Sequence, residues 1–234
     1  MQQEEVEEAK ELLIPPVVVG VAGATRSGKT SLCRSLAAHF QSPCPILSQD
    51  HFVTFAQVDK PTGFRNYETP HSTNWNRLLS TLQQLIQQFT ITISSSSSSS
   101  LQQPRPHFIF VEGFLLFHHP QLLALLDVKL FLLVSRKVCL ERRMRTTAVP
   151  QRYFDKLIWP NYLKYNHSCR RMEDVFVVDG SLPAERVCKE AVSFITGNKT
   201  EEERANSRKL LVDAFSDYDK HTIRQFFVPQ DKGT

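Results

Sequence analysis

No apolar run in this chain approaches the length of a membrane span, so a bilayer protein is not expected. No pair among its five cysteines (Cys33, Cys44, Cys139, Cys169, Cys188) has C-x-x-C spacing, and the count is odd. That speaks against a disulfide scaffold or a thiolate metal site and reads as a reduced intracellular protein. None of the eight histidines has metal-ligand spacing, no internal repeat is present, and no N-K-x-D segment marks a guanine site. Charge of one sign is not in large excess either. A formal net charge of +4 does not by itself argue for nucleic acid or a membrane surface as partner. The first eleven residues hold five glutamates and one lysine, the wrong sign for a secretory or mitochondrial leader. Residues 1–15 therefore read as a charged arm, and the expected location is the cytoplasm, with nuclear access open. What remains is the composition of a globular domain, 41% hydrophobic and 22% charged, in 234 residues, enough for one large α/β core.

The stretch around which the rest is organised is Gly23-Ala24-Thr25-Arg26-Ser27-Gly28-Lys29-Thr30, a full match to G-x-x-x-x-G-K-[ST], with Ser31 following. Two glycines let the backbone turn so that successive N–H groups face phosphate oxygens. The Lys29 ammonium reaches the β- and γ-phosphates, and the Thr30 hydroxyl suits Mg²⁺. Context supports the motif over a plain glycine turn before a core helix. The β-branched run from Pro16 to Ala22 reads as a buried strand. Lys29 to Phe40 reads as a helix with Leu32, Leu36 and Phe40 on one face.

Further along, Ile46 to Asp50 reads as a short strand ending in an acid, followed by His51 and Phe52. In open parallel sheets the carboxyl ends of strands line the ligand crevice. Asp50 is thus either the acid that takes a proton from an attacking hydroxyl and helps hold Mg²⁺, or a turn-initiating Asp. His107 to Gly113 is a second strand ending in an acid, and Glu112 either touches Mg²⁺ and its waters or caps the next turn. Residues 54–74 are polar and loop-like. Tyr67 beside Glu68 suits a ring-stacking and hydroxyl-accepting pair, or an ordinary surface loop. Asn74 to Phe89 is an amphipathic helix, Phe114 to Leu126 an apolar and helical segment, and Val128 to Val134 a fourth strand. Ser135 caps the next helix. From Arg136 to Arg152 there are six basic residues against Glu141 alone, a charge suited to a transferring phosphoryl group or to a solvated helix face. Residues 146–152 lack a helical pattern and read as a lid. Tyr153 to Met172 is a helix interrupted or restarted at Trp159-Pro160, Asp174 to Gly180 a fifth strand and turn, and Pro183 to Ile195 a helix. Ser94 to Ser100 is an unbroken serine run that cannot bury apolar surface, so residues 94–103 read as a disordered insertion.

These blocks together (GVAGATRSGKTSL, ILSQDHF, IFVEGFLLF, CLERRMR and RYFDKLIWPNYLKY) resemble the nicotinamide riboside kinases, of the uridine kinase-like branch of P-loop kinases. The resemblance runs from about Val17 to Gly180. It implies a three-layer α/β fold with a mainly parallel sheet of about five strands. It also implies ATP-dependent phosphorylation of the 5′-hydroxyl of nicotinamide riboside, and of nicotinic acid riboside, for NAD synthesis. By motif position it makes Gly23 to Ser31 and Arg142 the ATP site, and Asp50 and Lys29 the catalytic residues, with Asp50 as the general base. Thr30, Asp50 and Glu112 would serve Mg²⁺. Asp50, His51, Phe52, Val53, Tyr67, Glu68 and Arg143 would form the nucleoside site, with Tyr67 on the nicotinamide ring and Arg143 at the ribose. The chain carries Glu68 where the family has Asp, and His51 where it has a second acid. The segment between Arg143 and Tyr153 is a few residues shorter than usual.

The expected organisation is an arm (1–15), a kinase domain (16–197) and a charged tail (198–234) with a helix around Ser207 to Phe215. The expected partners are ATP and a small nucleoside, without nucleic acid or membrane, in a monomer or weak dimer. Two other readings stay open: a uridine or cytidine kinase, and a nucleotide-binding kinase-like protein with weak catalysis.

Overall fold

The computed structural model describes residues 12–93, 105–146 and 150–226, with side chains to 216. The acidic start of the arm, the serine run, the centre of the expected lid (147–149) and the last eight residues lie outside the described residues.

In chain order, β1 (Leu12–Ile14) precedes β2 (Val17–Gly23), and the phosphate loop then feeds α1 (Lys29–His39). The two-residue β3 (Leu47–Ser48) leads into a 3₁₀ turn, Gln49–Phe52. A small hairpin, β4 (Gln57–Val58) and β5 (Arg65–Asn66), precedes α2 (Trp75–Gln88) and β6 (Ile91–Ile93). Next come β7 (Phe108–Gly113), α3 (Pro120–Leu123), β8 (Val128–Leu133), α4 (Arg136–Thr146), α5 (Gln151–Tyr153) and α6 (Trp159–Asn166). The described chain closes with β9 (Val175–Asp179), α7 (Ala184–Ile195) and α8 (Glu201–Phe226).

Five strands pair in the order β3-β7-β2-β8-β9, all parallel. Alternation explains the three layers. Val18, Ala22, Ile109, Val111, Phe131, Val175 and Val177 point to one face, under α2, α6 and α8. Val19, Val21, Phe110, Leu130, Leu132, Phe176 and Val178 point to the other, under α1 and α7. Both faces are covered, so the strands read as near-continuous apolar runs rather than as alternating ones. The expected three-layer parallel fold is what forms. β1 pairs with β6 as a separate antiparallel ribbon, which places Leu12–Ile14 of the expected arm in a strand.

Two segments differ from expectation, and a third breaks where the sequence places the interruption. Phe114 to Leu126 holds only a 3₁₀ turn at Leu116–His118 and one helical turn at Pro120–Leu123. Pro120 lacks an N–H and clashes with a preceding helical turn, so the apolar side chains are buried by turns instead. Around Pro160 the helix widens into a π turn, Phe154–Ile158, before α6 resumes, because proline cannot donate the bond that would continue the ladder. The charged segment after residue 198 is where separation as a tail fails. α8 starts at Glu201 and lays Ser207, Leu211 and Phe215, spaced four apart, against the sheet. Leu211 and Phe215 are each 1% exposed, the Phe215 ring meets Phe131 and Tyr162, and Ser207 Oγ accepts the Val177 N–H at 3.0 Å. No helix among the described residues is long and apolar enough to cross a membrane.

Candidate active site

The register of the sheet sets the site. β2, β3 and β7 end side by side, so the loop leaving β2 faces the residues that leave the other two. Gly23 and Gly28 take φ of 145° and 103°, values that L side chains rarely adopt. A β-carbon on Gly23 would also strike the Leu132 carbonyl oxygen. Gly28 caps α1 without a side-chain hydrogen bond, leaving the first helical N–H groups pointing into the loop, where an anion belongs. Lys29 is buried and its Nζ donates to Ala24 O at 2.8 Å. Gly23, Ala24 and Ser27 form the buried floor, and Thr25, Arg26, Gly28, Lys29, Thr30 and Ser31 line the cleft above it. Arg26 has φ 58°, a left-handed backbone that costs a non-glycine residue about 1 kcal/mol or more.

Pairing of β3 with β7 sets Ser48 opposite Glu112. Both Ser48 Oγ, at 2.7 Å, and Thr30 Oγ1, at 2.9 Å, donate to Glu112 Oε1. The three oxygens meet where loop, helix and both strand ends converge, with Glu112 only 4% exposed. Asp50 follows in the first turn after β3. It opens to the cleft, yet crowding by protein raises its pKa, with Lys29 opposing and Glu112 adding to the shift.

Across the cleft, Arg142 and Arg143 on α4 face the loop. Arg142 Nη2 donates to Gly180 O at 3.0 Å, and its Nη1 lies 3.3 Å from Arg26 O and 3.4 Å from Ser27 O. Arg143 Nη1 donates to Thr25 Oγ1 at 2.9 Å. Val53, Tyr67 and Glu68 also line the cleft, Tyr67 being 41% exposed. Burial pushes the Glu68 carboxyl up to about 7, with Arg143 and Lys29 opposing and Asp50 adding.

The cleft, of about 1080 Å³, thus gathers most of the residues singled out in the sequence. Two do not join it. Phe52 is turned inward by the 3₁₀ turn, 5% exposed in the core with Arg77 over its ring. His51 is exposed and does not line the cleft. The sequence reading also missed several groups. Ser48 fixes Glu112. Gln49 is fully buried and ties the Asp50 turn to its neighbours, donating to Thr73 Oγ1 at 3.0 Å and accepting from Leu115 N at 3.0 Å. Arg34, Arg145, Phe114 and Tyr153 line the walls. In all, six cationic side chains face three carboxylates, a cleft built for a polyanion.

Nicotinamide riboside kinase 1 of Homo sapiens is 30% identical over 173 residues, which make up 70% of this chain and 84% of that protein. The chain belongs to the nicotinamide riboside kinase family. The nicotinamide riboside kinase of Schizosaccharomyces pombe is 23% identical over 183 residues, covering 65% of this chain and 79% of that one. Kinship extends to a uridine kinase of Oceanobacillus iheyensis, 28% identical over 184 residues, 70% of this chain and 87% of that one. The solved shikimate kinase of Acinetobacter baumannii overlays at 15% identity with a TM-score of 0.49, over 80% of this chain and 96% of that one, too distant to bear on the site. No family model matches the chain.

The oxygens at the strand ends suit the metal of ATP chemistry. Among the described residues no cluster of three His, Cys, Asp or Glu side chains could cage an ion. Mg²⁺ needs none, since it keeps several waters and takes one or two protein oxygens together with phosphate. One hydroxyl and two carboxylates, all hard oxygen donors beside the phosphate loop, match that demand.

Proposed function

We propose that this chain transfers the γ-phosphoryl group of ATP to the 5′-hydroxyl of nicotinamide riboside, forming nicotinamide mononucleotide, with nicotinic acid riboside as a second substrate. The observation that carries the reading is one cleft holding both halves of the reaction. The phosphate loop, Glu112 and Asp50 line it together with Tyr67, Glu68 and Arg143, and Arg143 reaches the loop through Thr25.

In this reading the loop N–H groups and Lys29 hold the β- and γ-phosphates, while Arg142 covers the donor side. Thr30, Asp50 and Glu112 hold Mg²⁺, which neutralises phosphate charge when bound. Ser48 and Thr30 keep the Glu112 oxygen aimed. Glu68 and Arg143 bind the ribose and Tyr67 stacks on the pyridine ring. Asp50 takes the 5′-hydroxyl proton as the oxygen attacks. Its raised pKa makes it a better base than a surface Asp. Positioning and charge neutralisation supply most of the acceleration.

The test is ADP release by the purified chain with Mg²⁺-ATP and, separately, nicotinamide riboside, nicotinic acid riboside, uridine and cytidine. Turnover mainly with the two pyridine ribosides is expected, and Asp50→Ala should abolish it. Near-wild-type turnover by Asp50→Ala would remove the general-base role. A preference for pyrimidine nucleosides would move the substrate to that of the uridine kinase relative, and ATP binding without transfer to any nucleoside would point to a weakly catalytic protein.

A further inference from the structure

The phosphate-loop pattern leaves the residue at position 26 free, because the loop binds phosphate through backbone N–H groups. Its backbone is not free. At φ 58° the residue that fits is Gly or Asn. An arginine there strains the loop and adds nothing to its turn. Strained residues held at a binding loop point to a use for the side chain.

The side chain of Arg26 goes into the cleft. The other arginines there are engaged. Arg142 spends its two terminal nitrogens on loop and Gly180 carbonyls, Arg143 donates to Thr25, and Arg145 Nε lies 3.4 Å from Glu141 O. Arg34 lines the wall from α1, outside the loop. Arg26 makes no side-chain hydrogen bond or ion pair among the described residues, and its side chain lines the same cleft as Asp50, Lys29 and Thr30. A free guanidinium carried by the phosphate loop, in the cleft where the loop meets the acceptor side, is within the part of the site that the phosphoryl group crosses.

We propose that Arg26 is a catalytic residue of the transfer, a guanidinium supplied by the phosphate loop itself that contacts the migrating phosphoryl group. This rests on the kinase reading above. In the step, the nucleoside 5′-oxygen forms a bond to the γ-phosphorus. The bond from that phosphorus to the β,γ-bridging oxygen breaks, and its electron pair leaves with ADP. The hydroxyl proton goes to Asp50. Charge spreads over the three remaining oxygens of the phosphoryl group during transfer, and a planar donor with five N–H groups is suited to meet it.

Three substitutions separate charge from backbone. Arg26→Asn keeps the left-handed conformation and removes the charge, Arg26→Gly relaxes the backbone and removes the charge, and Arg26→Lys keeps a charge at a strained position. The expected order of kcat is wild type, then Lys, then Asn and Gly together about 100-fold or more below wild type. KM for ATP and for the nucleoside should stay within a few-fold, and melting temperatures of Asn and Gly should not fall. Wild-type kcat in Arg26→Asn or Arg26→Gly overturns the proposal. So does an unchanged kcat with a raised KM for ATP, which makes Arg26 a binding residue only. The wild-type substrate panel judges the kinase reading separately. If another nucleoside is the better acceptor, the variants are compared with that one, and if none accepts, with water in slow ATP hydrolysis.

Discussion

Glu68 gives the sharpest quantitative test of the site. Its carboxyl lines the cleft, and burial raises its pKa from 4.5 to about 7. The folded protein therefore holds this proton to higher pH than the unfolded chain does. The associated stability is complete below about pH 4.5, falls as pH rises, and is lost once pH passes about 7. At about 1.4 kcal/mol per pKa unit, the shift sets a ceiling near 3 kcal/mol. Glu68 keeps some contact with water, which reduces the expected loss to about 1–2 kcal/mol. Glu68→Gln, which cannot ionise, serves as the reference. Urea unfolding of both proteins at pH 4.5 and pH 8 should show wild type losing about 1–2 kcal/mol relative to the variant between the two conditions. Steady-state kinetics provides the second readout. An ionised carboxylate accepts ribose hydroxyls better than a neutral acid, so the wild-type KM for nucleoside should fall between pH 6 and pH 8, while that of Glu68→Gln stays level. Parallel stability profiles for the two proteins across the range would refute the burial argument.

Two further outcomes follow from packing. In Gly113→Ala the new methyl would lie 2.7 Å from Gln49 Cβ, forcing aside the amide that holds the Asp50 turn. A stability loss of about 1–3 kcal/mol is expected, with kcat reduced more than KM, and unchanged kinetics would show that Gln49 does not set the position of Asp50. In Phe215→Ala the loss of a ring 1% exposed should cost about 3–5 kcal/mol and lower the melting temperature by about 10 °C. A shift of only a degree or two would mean that α8 is not integral to the fold.

The parts of this protein that could be read from sequence are those whose physics is local. Strand, glycine loop and helix follow one another within twenty-five residues, and the backbone conformation of Gly23 and Gly28 is demanded by the loop itself. Asp50 and Glu112 were legible because an acid at the carboxyl end of a buried strand has a known place in a parallel sheet. Ser48 and Gln49 were not, since a polar residue beside a turn looks the same whether it faces water or fixes a carboxylate across the sheet. Phe52 was placed with its neighbours, but a 3₁₀ turn of four residues sends adjacent side chains in different directions. A helix around Ser207 to Phe215 was legible, but its docking on the sheet was obscured by its composition. A helix that docks through every fourth residue leaves most of its surface charged, so its sequence resembles a solvated tail.

That docking also decides how the sheet ends. A parallel sheet with a bare outer strand offers its unpaired N–H and carbonyl groups to any extended chain, including another copy of itself. Here one border, β3, is only two residues long, too short to template a partner. At the other border the outward N–H of Val177 is already spoken for by Ser207. Both routes to strand-by-strand growth are narrowed from within the chain. The helix that looked like an appendage in the sequence thus covers part of the sheet's open edge.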